Sequence, residues 1–415
     1  MKAHSNVNSE LSAGMKALPD GGHSYAQTQA LWRFLANDEV TFEKLSEPLL
    51  EMAHNAITSH CDKYVLTLHD WSRINYGGHS SKKDRLQMTH ETDIGYELQS
   101  TLLVSDRDGS PLVSPIQNLV TANSVLSTRE MKTNERMTHL DELTERIQWT
   151  EQQGFSKKLV HIVDREADSV GHLRQWSQGN SKWLIRAKEG STAEYQGKKY
   201  KLKEIGQLLQ YQEVGVISAH GQKEIHTIAG ADIVLTRNAK SKKIDPTTGK
   251  RVAPEEGIPL KVRLIVSRVY AQDGKLIAQW YLLSNVEQEV SNHTLSTWYY
   301  YRWRIESYFK VLKQAGHQIE HWEQESGRAI FKRLLIVSQA CALAWRIMRL
   351  NNPEGEKIKI FLVRLSGRQM KRKQPVTLPA LLDGLFKLFM MLEVMENYSI
   401  DELKTFAQIA MLRDS

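Results

Sequence analysis

Cysteine is scarce in this chain of 415 residues, which contains only Cys61 and Cys341. The two lie far apart and neither belongs to a paired metal-binding spacing, which argues against a disulfide framework and a structural zinc site. Long apolar runs are missing too, because no stretch approaches the about 20 residues that a membrane-spanning helix requires. The first residues lack the apolar segment of a signal peptide. We therefore expect a soluble protein of a reducing cytoplasm.

Charge of one sign is not in large excess. Lys and Arg outnumber Asp and Glu by 55 to 48, which gives a net charge of +7. This mild basic excess is compatible with a nucleic-acid partner, although many proteins with such a charge bind none. Hydrophobic residues make up 41% of the chain. The sequence thus predicts a packed globular protein, with either a large core and an insertion or two to three domains.

Apolar periodicity predicts a mixed α/β fold. Helical spacing in residues 25–60 precedes three strands that form a meander, and a polar helix at about 134–153 leads to a strand–helix–strand unit. In that unit the helix is expected to open directly after the strand and to run to about Trp176. The predicted strands lie at residues 64–68, 98–104, 112–120, 158–163 and 183–187.

Residues 190–290 are predicted to form a β-rich insertion. Its clearest element is a hairpin in which strands 261–270 and 275–284 flank an Asp-Gly turn signal. The Lys-, Pro- and Gly-rich stretch 237–258 is predicted to be a loop. Helices follow the insertion. They are expected at residues 295–315, 328–351 and 375–411.

Two acidic residues directly follow apolar strands. Asp70 ends the segment YVLTLHD, and Asp164 follows LVHIV. Open α/β sheets hold their ligands at the carboxyl ends of strands, so both are candidate site residues. An aspartate in such a position also commonly caps a following helix, and Asp164 is well placed for that simpler role.

A third candidate lies in residues 299–313, which read YYYRWRIESYFKVLK. On a helix, Tyr299, Arg302, Glu306 and Lys313 fall within about 60° of each other over roughly 21 Å. A solvated face of ion pairs is the simpler interpretation. Apolar residues share this half of the helix, however, so the face is not simply a surface stripe. They are Trp298, Ile305 and Phe309.

The spacing Tyr-x2-Arg-x3-Glu-x6-Lys in residues 299–313 resembles the YREK signature of bacterial insertion-sequence transposases of family four, which includes the transposon-five enzyme. The segment DREAD at 164–168 resembles the part of that family that holds its second catalytic aspartate. Trp280, in QWYLLS, resembles the β-insertion segment ahead of the signature, and LWRFLAN at 31–37 resembles the pre-catalytic helical region. The resemblance covers about residues 25–350.

The resemblance implies a ribonuclease-H-like catalytic core with a β-rich insertion, flanked by helical N- and C-terminal regions. Asp70, Asp164 and Glu306 would be its catalytic carboxylates and would hold two Mg²⁺ (or Mn²⁺) ions, with Asp70 bridging the pair. Asp70 is carried over by its place at the end of the first strand, because Trp-Ser-Arg follows it where the family often has small hydroxyl residues. Asp106 and Asp108 are rivals for that position, but they flank a glycine and are better interpreted as turn residues.

The resemblance also implies contacts with DNA. Tyrosine, arginine and lysine of the signature would grip phosphates, and Trp280 would stack on a flipped base. From the residues alone, a core tryptophan in a hairpin strand is an equally good interpretation of Trp280. The implied DNA-binding residues are Tyr299, Arg302, Lys313, Trp280, Arg186, Lys188 and Arg304.

Enzymes of this family cut and paste DNA. Water releases a 3′-OH at the element end, the 3′-OH forms a hairpin with the opposite strand, and the reopened end joins target DNA. The implied partners are the terminal inverted repeats and target DNA, bound by a homodimer at the bacterial nucleoid. Residues 382–392 of the last helices are a candidate dimer seam, with core packing as the alternative. The competing interpretations are an inactive or domesticated DNA-binding relative, and a metal-dependent nuclease that cuts without joining.

Five segments are expected along the chain. Family members usually carry a longer helical region before the core, so DNA-end recognition would use a reduced module or the chain starts late. Basic clusters at 240–243, 250–251 and 368–373 would follow phosphates or lie in solvated loops. The five expected segments are a flexible arm and short helical region (1–60), the first part of the core (61–189), the insertion (190–290), core helices with the signature (291–350) and a C-terminal helical region (351–415).

Overall fold

The computed structural model describes residues 24–130, 136–219, 222–239, 256–315, 317–369 and 376–411. The predicted N-terminal arm, most of the predicted loop 237–258, the basic clusters at 240–243 and 250–251, and most of the cluster at 368–373 lie outside the described residues.

Thirteen strands are assigned within the described residues. They are β1 (Tyr64–Asn75), β2 (Leu86–Gln87), β3 (Ile94–Ser105), β4 (Pro111–Val120), β5 (Val125–Ser127), β6 (Lys158–Val163), β7 (Lys182–Arg186), β8 (Thr192–Tyr195), β9 (Lys198–Lys201), β10 (Gln212–Ala219), β11 (Gln222–Leu235), β12 (Leu260–Tyr270) and β13 (Leu276–Ser284).

Helices cover both faces of the strands. They are α1 (Ser24–Ala36), α2 (Phe42–His60), α3 (His139–Glu151), α4 (Val170–Gln178), α5 (Leu202–Leu208), α6 (Asn292–Tyr300), α7 (Trp303–Lys310), α8 (Gly327–Met348), α9 (Pro353–Ser366), α10 (Leu378–Asn397) and α11 (Ile400–Met411).

The strands form one continuous mixed sheet. Its order is β5-β4-β3-β1-β6-β7-β13-β12-β11-β8-β9, with β2 on β3 and β10 on β11. The meander of β1, β3 and β4 is antiparallel, whereas β6 runs parallel to both β1 and β7. This is the strand arrangement of a ribonuclease-H-like core, so the predicted fold class is confirmed. The predicted hairpin is also present, and its strand β13 pairs with β7, so the inserted strands continue the core sheet.

Alternate residues of the central strands face two separate hydrophobic layers. Leu68, Ile162 and Leu184 belong to the layer that packs under α6, α7 and α8. Val163 and Ile185 belong to the opposite layer, which packs on α3, α4 and α5. Each fully buried leucine side chain stabilises the fold by about 1.5–3 kcal/mol relative to exposure. Burial on both faces explains why these strands are nearly continuous apolar runs in the sequence.

The helix predicted at 295–315 is wrong as a single element. α6 begins at the N-cap Ser291, whose hydroxyl accepts a hydrogen bond from the Thr294 N–H, and it ends at Tyr300. A tight turn follows, in which the Arg302 N–H donates to the Tyr299 carbonyl at 3.0 Å. α7 then runs to Lys310 and passes into a π-helical turn, Val311–Ala315.

The unit after β6 also differs from its prediction. Asp164 caps a short 3₁₀ turn, Arg165–Ala167, and α4 begins only at Val170. Asp164 therefore lies directly after the carboxyl end of β6, and the 3₁₀ turn separates it from α4.

The C-terminal helices divide into a packed and an exposed half. Leu381 and Leu382 of α10 belong to the main hydrophobic core. Further along the same helix, Leu392 and Met395 are 44% and 54% exposed. Within the candidate dimer seam, core packing therefore accounts for Leu382, Leu385 and Leu388, whereas Leu392 keeps accessible surface. No helix in the described parts of the chain is long and apolar enough to cross a membrane.

Candidate active site

Asp70 and Asp164 lie side by side, at equivalent positions relative to two neighbouring parallel strands. β1 and β6 pair in parallel up to Leu68 and Ile162, and each aspartate lies two residues further along the chain. Because side chains alternate between faces, both carboxylates lie on the face that α6 and α7 cover. The pairing of Val163 with Ile185 extends the same row by one strand to Arg186. The sheet register alone thus brings two candidate carboxylates and one candidate DNA contact together.

Asp70 does not lie at the end of its strand, as predicted, but in the middle of it. β1 continues to Asn75 because its later residues keep pairing with β3, with Asp70 opposite Ser100. The parallel pairing with β6 has already ended there, which opens space beside the Asp70 side chain. Its Oδ1 accepts a hydrogen bond from the Trp71 N–H at 2.9 Å.

Asp164 combines the two roles that the sequence allowed. Its Oδ1 accepts a hydrogen bond from the Glu166 N–H at 2.8 Å, so it is a cap, although of the short 3₁₀ turn rather than of the predicted helix. The same residue lines the cleft together with Asp70, so the cap does not remove it from the candidate site.

Glu306 reaches the row from α7. A single guanidinium, that of Arg302, links it to the sheet: Nη1 donates to Asp70 Oδ2 at 3.0 Å, and Nη2 donates to Glu306 Oε1. Asp70, Asp164 and Glu306 line one cleft of about 450 Å³. The other residues that line it are Trp71, Ser72, Arg302, Phe309, Lys310, Lys313 and Gln314.

The environment of the cleft disfavours the charged form of the Asp70 carboxyl. Burial raises the pKa of its carboxyl to about 6, and the nearby Asp164 and Glu306 push it in the same direction. Arg302 and the Trp71 N–H oppose the rise without cancelling it. Additional positive charge in the cleft would therefore stabilise the Asp70 carboxylate.

Carboxylate oxygens are the donors that Mg²⁺ and Mn²⁺ prefer, so the donor chemistry of the cleft fits a divalent cation. The Arg302 guanidinium is a stand-in for such a cation, since it bonds to Asp70 and Glu306 together. In the described part of the chain, no three His, Cys, Asp or Glu side chains are already arranged as a metal-binding group. The fit therefore rests on donor type and on the stand-in charge.

Tyr299 and Trp280 lie beside the cleft rather than in its lining. Tyr299 is buried, and its ring meets that of Trp280 edge-on at 5.7 Å between centroids. Burial raises the pKa of the Tyr299 hydroxyl to about 12, with Arg302 and Arg186 opposing and Asp164 adding to the rise. These influences place Tyr299 among Asp164, Arg186 and Arg302. Trp280 is only partly buried, and it packs against the core by one side.

The remaining predicted DNA contacts are spread out. Lys313 lines the cleft and lies 4.0 Å from Glu320. Burial lowers the pKa of the Lys313 ammonium. Lys188 and Arg304 are exposed and do not line the cleft. Lys310 was missed, although its position four residues after Glu306 on the same helix could have revealed it.

The two rival aspartates have structural partners at the other end of β1. Asp106 accepts hydrogen bonds from three successive backbone N–H groups, those of residues 62, 63 and 64, at 2.8, 3.0 and 2.8 Å. Asp108 accepts the Ser110 N–H at 2.9 Å within the turn. Gly109 adopts a φ of +70° there, and a Cβ at this position would collide with the ring of Tyr301. Their interpretation as turn residues is confirmed.

Comparisons with known proteins place the chain among transposases. A solved structure of the piggyBac transposase synaptic complex with hairpin DNA is similar at 8% identity and a TM-score of 0.36, over 86% of this chain and 59% of that one. The chain thus spans less than two thirds of that protein, and a likeness this weak supports no functional argument. No curated protein matches the chain. The sequence profile of the transposase DDE domain matches residues 63–345, well over half of the chain. The chain therefore belongs to the family of transposases with a DDE domain.

Proposed function

We propose that the protein is a cut-and-paste DNA transposase of insertion sequence family four, whose catalytic carboxylates are Asp70, Asp164 and Glu306. The observation that supports this most is the convergence of the three carboxylates, from β1, the end of β6 and α7, on one cleft. The cleft lies within the segment 63–345 that matches the transposase DDE domain.

The three carboxylates would hold the catalytic divalent cations. When bound, Mg²⁺ or Mn²⁺ would polarise the scissile phosphodiester and increase the nucleophilicity of the attacking water or 3′-OH. Asp70 is the candidate for sharing a cation, because its side chain is less exposed than that of Glu306 (20% against 37%) and both Asp164 and Glu306 raise its pKa. The pKa of the Asp70 carboxyl, which is raised mainly by burial, supports this role, because a bound cation would stabilise its charged form.

Arg302 would exchange partners when DNA binds. A guanidinium can bind a phosphate with two parallel hydrogen bonds, as it now bonds two carboxylates. Its transfer to a phosphate would leave Asp70 and Glu306 free to hold cations. Lys310 and Lys313 line the same wall and would act as further point charges on the DNA backbone.

Hairpin formation requires a sharply bent strand, which a flipped base permits. Trp280 would stack on that base. The part-exposed ring of Trp280 supports this role, as does its contact with Tyr299, which lies among Asp164, Arg186 and Arg302. Lys188 and Arg304 would contact the duplex outside the cleft.

We further propose that the five-segment division expected from the sequence is the domain organisation. The protein would act as a homodimer on paired DNA ends at the bacterial nucleoid. The exposed second half of α10 supports a dimer contact there, because Leu392 and Met395 present apolar surface that the described part of the chain leaves accessible.

A cleavage and joining assay tests the proposal. The substrate is a duplex that carries the element's own end, taken from the DNA that flanks the gene, incubated with Mg²⁺ or with EDTA and resolved on a denaturing gel. Metal-dependent nicking followed by a hairpin is expected. Nicking without a hairpin or joined product would indicate a nuclease, and specific binding without cutting would indicate an inactive relative. Absence of both binding and cutting would overturn the proposal.

A further inference from the structure

His139, the first residue of α3, lies between two carboxylates next to the cleft. Its Nε2 is 3.0 Å from Glu97 Oε1, and its Nδ1 is 3.1 Å from Glu166 Oε1. A neutral imidazole can donate only one hydrogen bond, so two carboxylate partners favour the doubly protonated ring. The hydrogen bond to Glu97 is the largest cause that raises the pKa of His139, and Glu166 adds to it.

The hydrogen bond between His139 and Glu166 connects His139 to Asp164. The Glu166 side chain is held by His139, while the Glu166 backbone N–H donates to Asp164 Oδ1 at 2.8 Å. The Glu166 side chain is 48% exposed. An ion pair with so exposed a partner contributes little to folding stability, so its main consequence is the position of the turn that presents Asp164.

The ring contact between His139 and Trp71 connects His139 to Asp70. The His139 ring packs against the indole of Trp71, with 4.2 Å between the ring centroids and an interplanar angle of 39°. A cationic ring close to an indole is attracted to its π-electrons. The Trp71 N–H in turn donates to Asp70 Oδ1 at 2.9 Å. His139 thus touches the two residues whose backbone N–H groups hold the Asp70 and Asp164 carboxylates.

Glu97 fixes His139 to the rigid part of the fold. Glu97 is buried in β3 and accepts a second hydrogen bond from Gln99 at 2.8 Å. Gln99 accepts one from Asn118, which also donates to the buried Glu142 at 2.6 Å. The imidazole is therefore linked to a continuous polar network that runs from β3 to α3.

We propose that His139 is a positioning residue that orients the Asp70 and Asp164 carboxylates together, through Trp71 and Glu166, and thereby sets the affinity of the cleft for divalent cations. This inference rests on the proposed function in one respect, namely that these carboxylates hold the cations. Residues that orient metal ligands by hydrogen bonding typically change metal affinity by about 10-fold to 100-fold when they are replaced.

The test is an isothermal titration of the full chain with Mn²⁺ in the absence of DNA. His139→Phe keeps a ring against Trp71 but loses both hydrogen bonds, and His139→Gln keeps one donor. We expect about tenfold weaker Mn²⁺ binding for His139→Phe and an intermediate loss for His139→Gln. His172→Phe is the matched control. His172 also contacts a carboxylate, that of Asp141 at 3.3 Å. Asp141 does not line the cleft, whereas Trp71, on which His139 packs, does, so this variant should bind Mn²⁺ as the wild type does.

Two further variants keep the outcome unambiguous. Glu166→Ala removes only a half-exposed side chain, so it should fold normally even if His139→Phe does not. Because it removes one of the two connections between His139 and the carboxylates, it should weaken Mn²⁺ binding by about threefold. Wild-type affinity in both His139→Phe and Glu166→Ala would overturn the positioning role. Asp164→Asn separates this result from the proposed function: if it also binds Mn²⁺ like the wild type, the cation site itself is elsewhere.

Discussion

Carboxylates in the core of the sheet and carboxylates in the cleft are treated differently by the fold. In the core, Glu142 is enclosed by the guanidinium groups of Arg129 and Arg146. In the cleft, Asp70 and Glu306 share the single guanidinium of Arg302, and Asp164 stands beside them. Glu142 thus contacts two guanidinium groups, whereas in the cleft one guanidinium contacts two carboxylates. The difference teaches that the cleft carboxylates Asp70 and Glu306 share a positive partner that a bound cation could replace, whereas the core carboxylate Glu142 is held by two partners of its own helix and of the preceding loop.

Tryptophans follow the same division. Trp176 and Trp183 are buried, and their Nε1 groups donate to hydroxyls of Thr144 and Ser177 at 2.8 and 3.0 Å. Around the cleft the indoles keep accessible surface, and Trp303 is 50% exposed. Rings with satisfied polar atoms stabilise the fold, whereas accessible rings are able to stack on a ligand.

The largest expected effect tests the cleft side of the comparison. Asp164→Asn keeps the shape of the side chain but removes a negative charge, so it should lower the rate of Mg²⁺-dependent cleavage by about 10³-fold or more. Binding of the element end, measured by gel shift, should change little. Asp108→Asn is the matched control, because it alters an exposed turn aspartate outside the cleft. Cleavage at the wild-type rate by Asp164→Asn would remove this residue from the candidate site.

The core side of the comparison concerns stability rather than activity. Glu142→Ala leaves two buried guanidinium groups without their main partner, and breaking a buried ion pair in this way costs about 3–5 kcal/mol. Urea denaturation would measure the loss of unfolding free energy. The control is Asp62→Asn, which breaks an exposed pair with Arg107 and should leave the urea midpoint unchanged. A small effect of Glu142→Ala would mean that the core cluster is as loosely matched as the cleft.

The sequence revealed strand positions better than strand ends. The apolar run covers residues 64–68, so the sequence predicts that the first strand ends by Asp70. In the structure β1 continues to Asn75. The extra residues pair with β3 and lie partly exposed, which makes them invisible to a search for apolar runs. Asp70 was nevertheless found, because the parallel pairing that buries the apolar run ends just before it.

Helix geometry was right for part of the signature only. Arg302, Glu306 and Lys313 do line one cleft, but Tyr299 is buried next to it because the helix breaks after Tyr300. No proline or glycine marks the break in the sequence. A long-range contact accompanies it, in which the Tyr301 ring packs on the turn at Gly109. Contacts of that kind lie outside the reach of local propensity.

His139 could not be found from the sequence at all. Its carboxylate partners Glu97 and Glu166 lie 42 and 27 residues away, on a different strand and in a turn. Neither spacing corresponds to a helical or strand period, so only the assembled fold brings the three side chains together.

The raised pKa of Asp70 should be visible as a pH dependence of stability. In EDTA, the pKa of Asp70 is raised from 3.8 to about 6, so between these values the folded protein binds a proton that the unfolded chain has released. Stability conferred by this group is present below pH 4 and falls as the pH rises to about 6, by up to about 3 kcal/mol. Urea denaturation of the wild type and of Asp70→Asn between pH 4 and 7 would measure the difference. The same slope in both proteins would contradict the electrostatic contrast between cleft and core.

The smallest expected effect concerns the accessible tryptophans. Stacking of a base on an aromatic ring is worth about 1–3 kcal/mol, so Trp280→Ala should lower the yield of hairpin by about tenfold while the first nick proceeds normally. Trp280→Phe keeps a ring that can stack and that can still contact Tyr299, so it should retain most of the hairpin yield. Substitution of a buried tryptophan provides the contrast: Trp183→Phe should lower the urea midpoint and leave the ratio of hairpin to nick unchanged, because Trp183 is enclosed in the layer opposite the cleft. Equal losses of nicking and hairpin in Trp280→Ala would mean that Trp280 belongs with the structural tryptophans, and the division between cleft and core would then hold for charge alone.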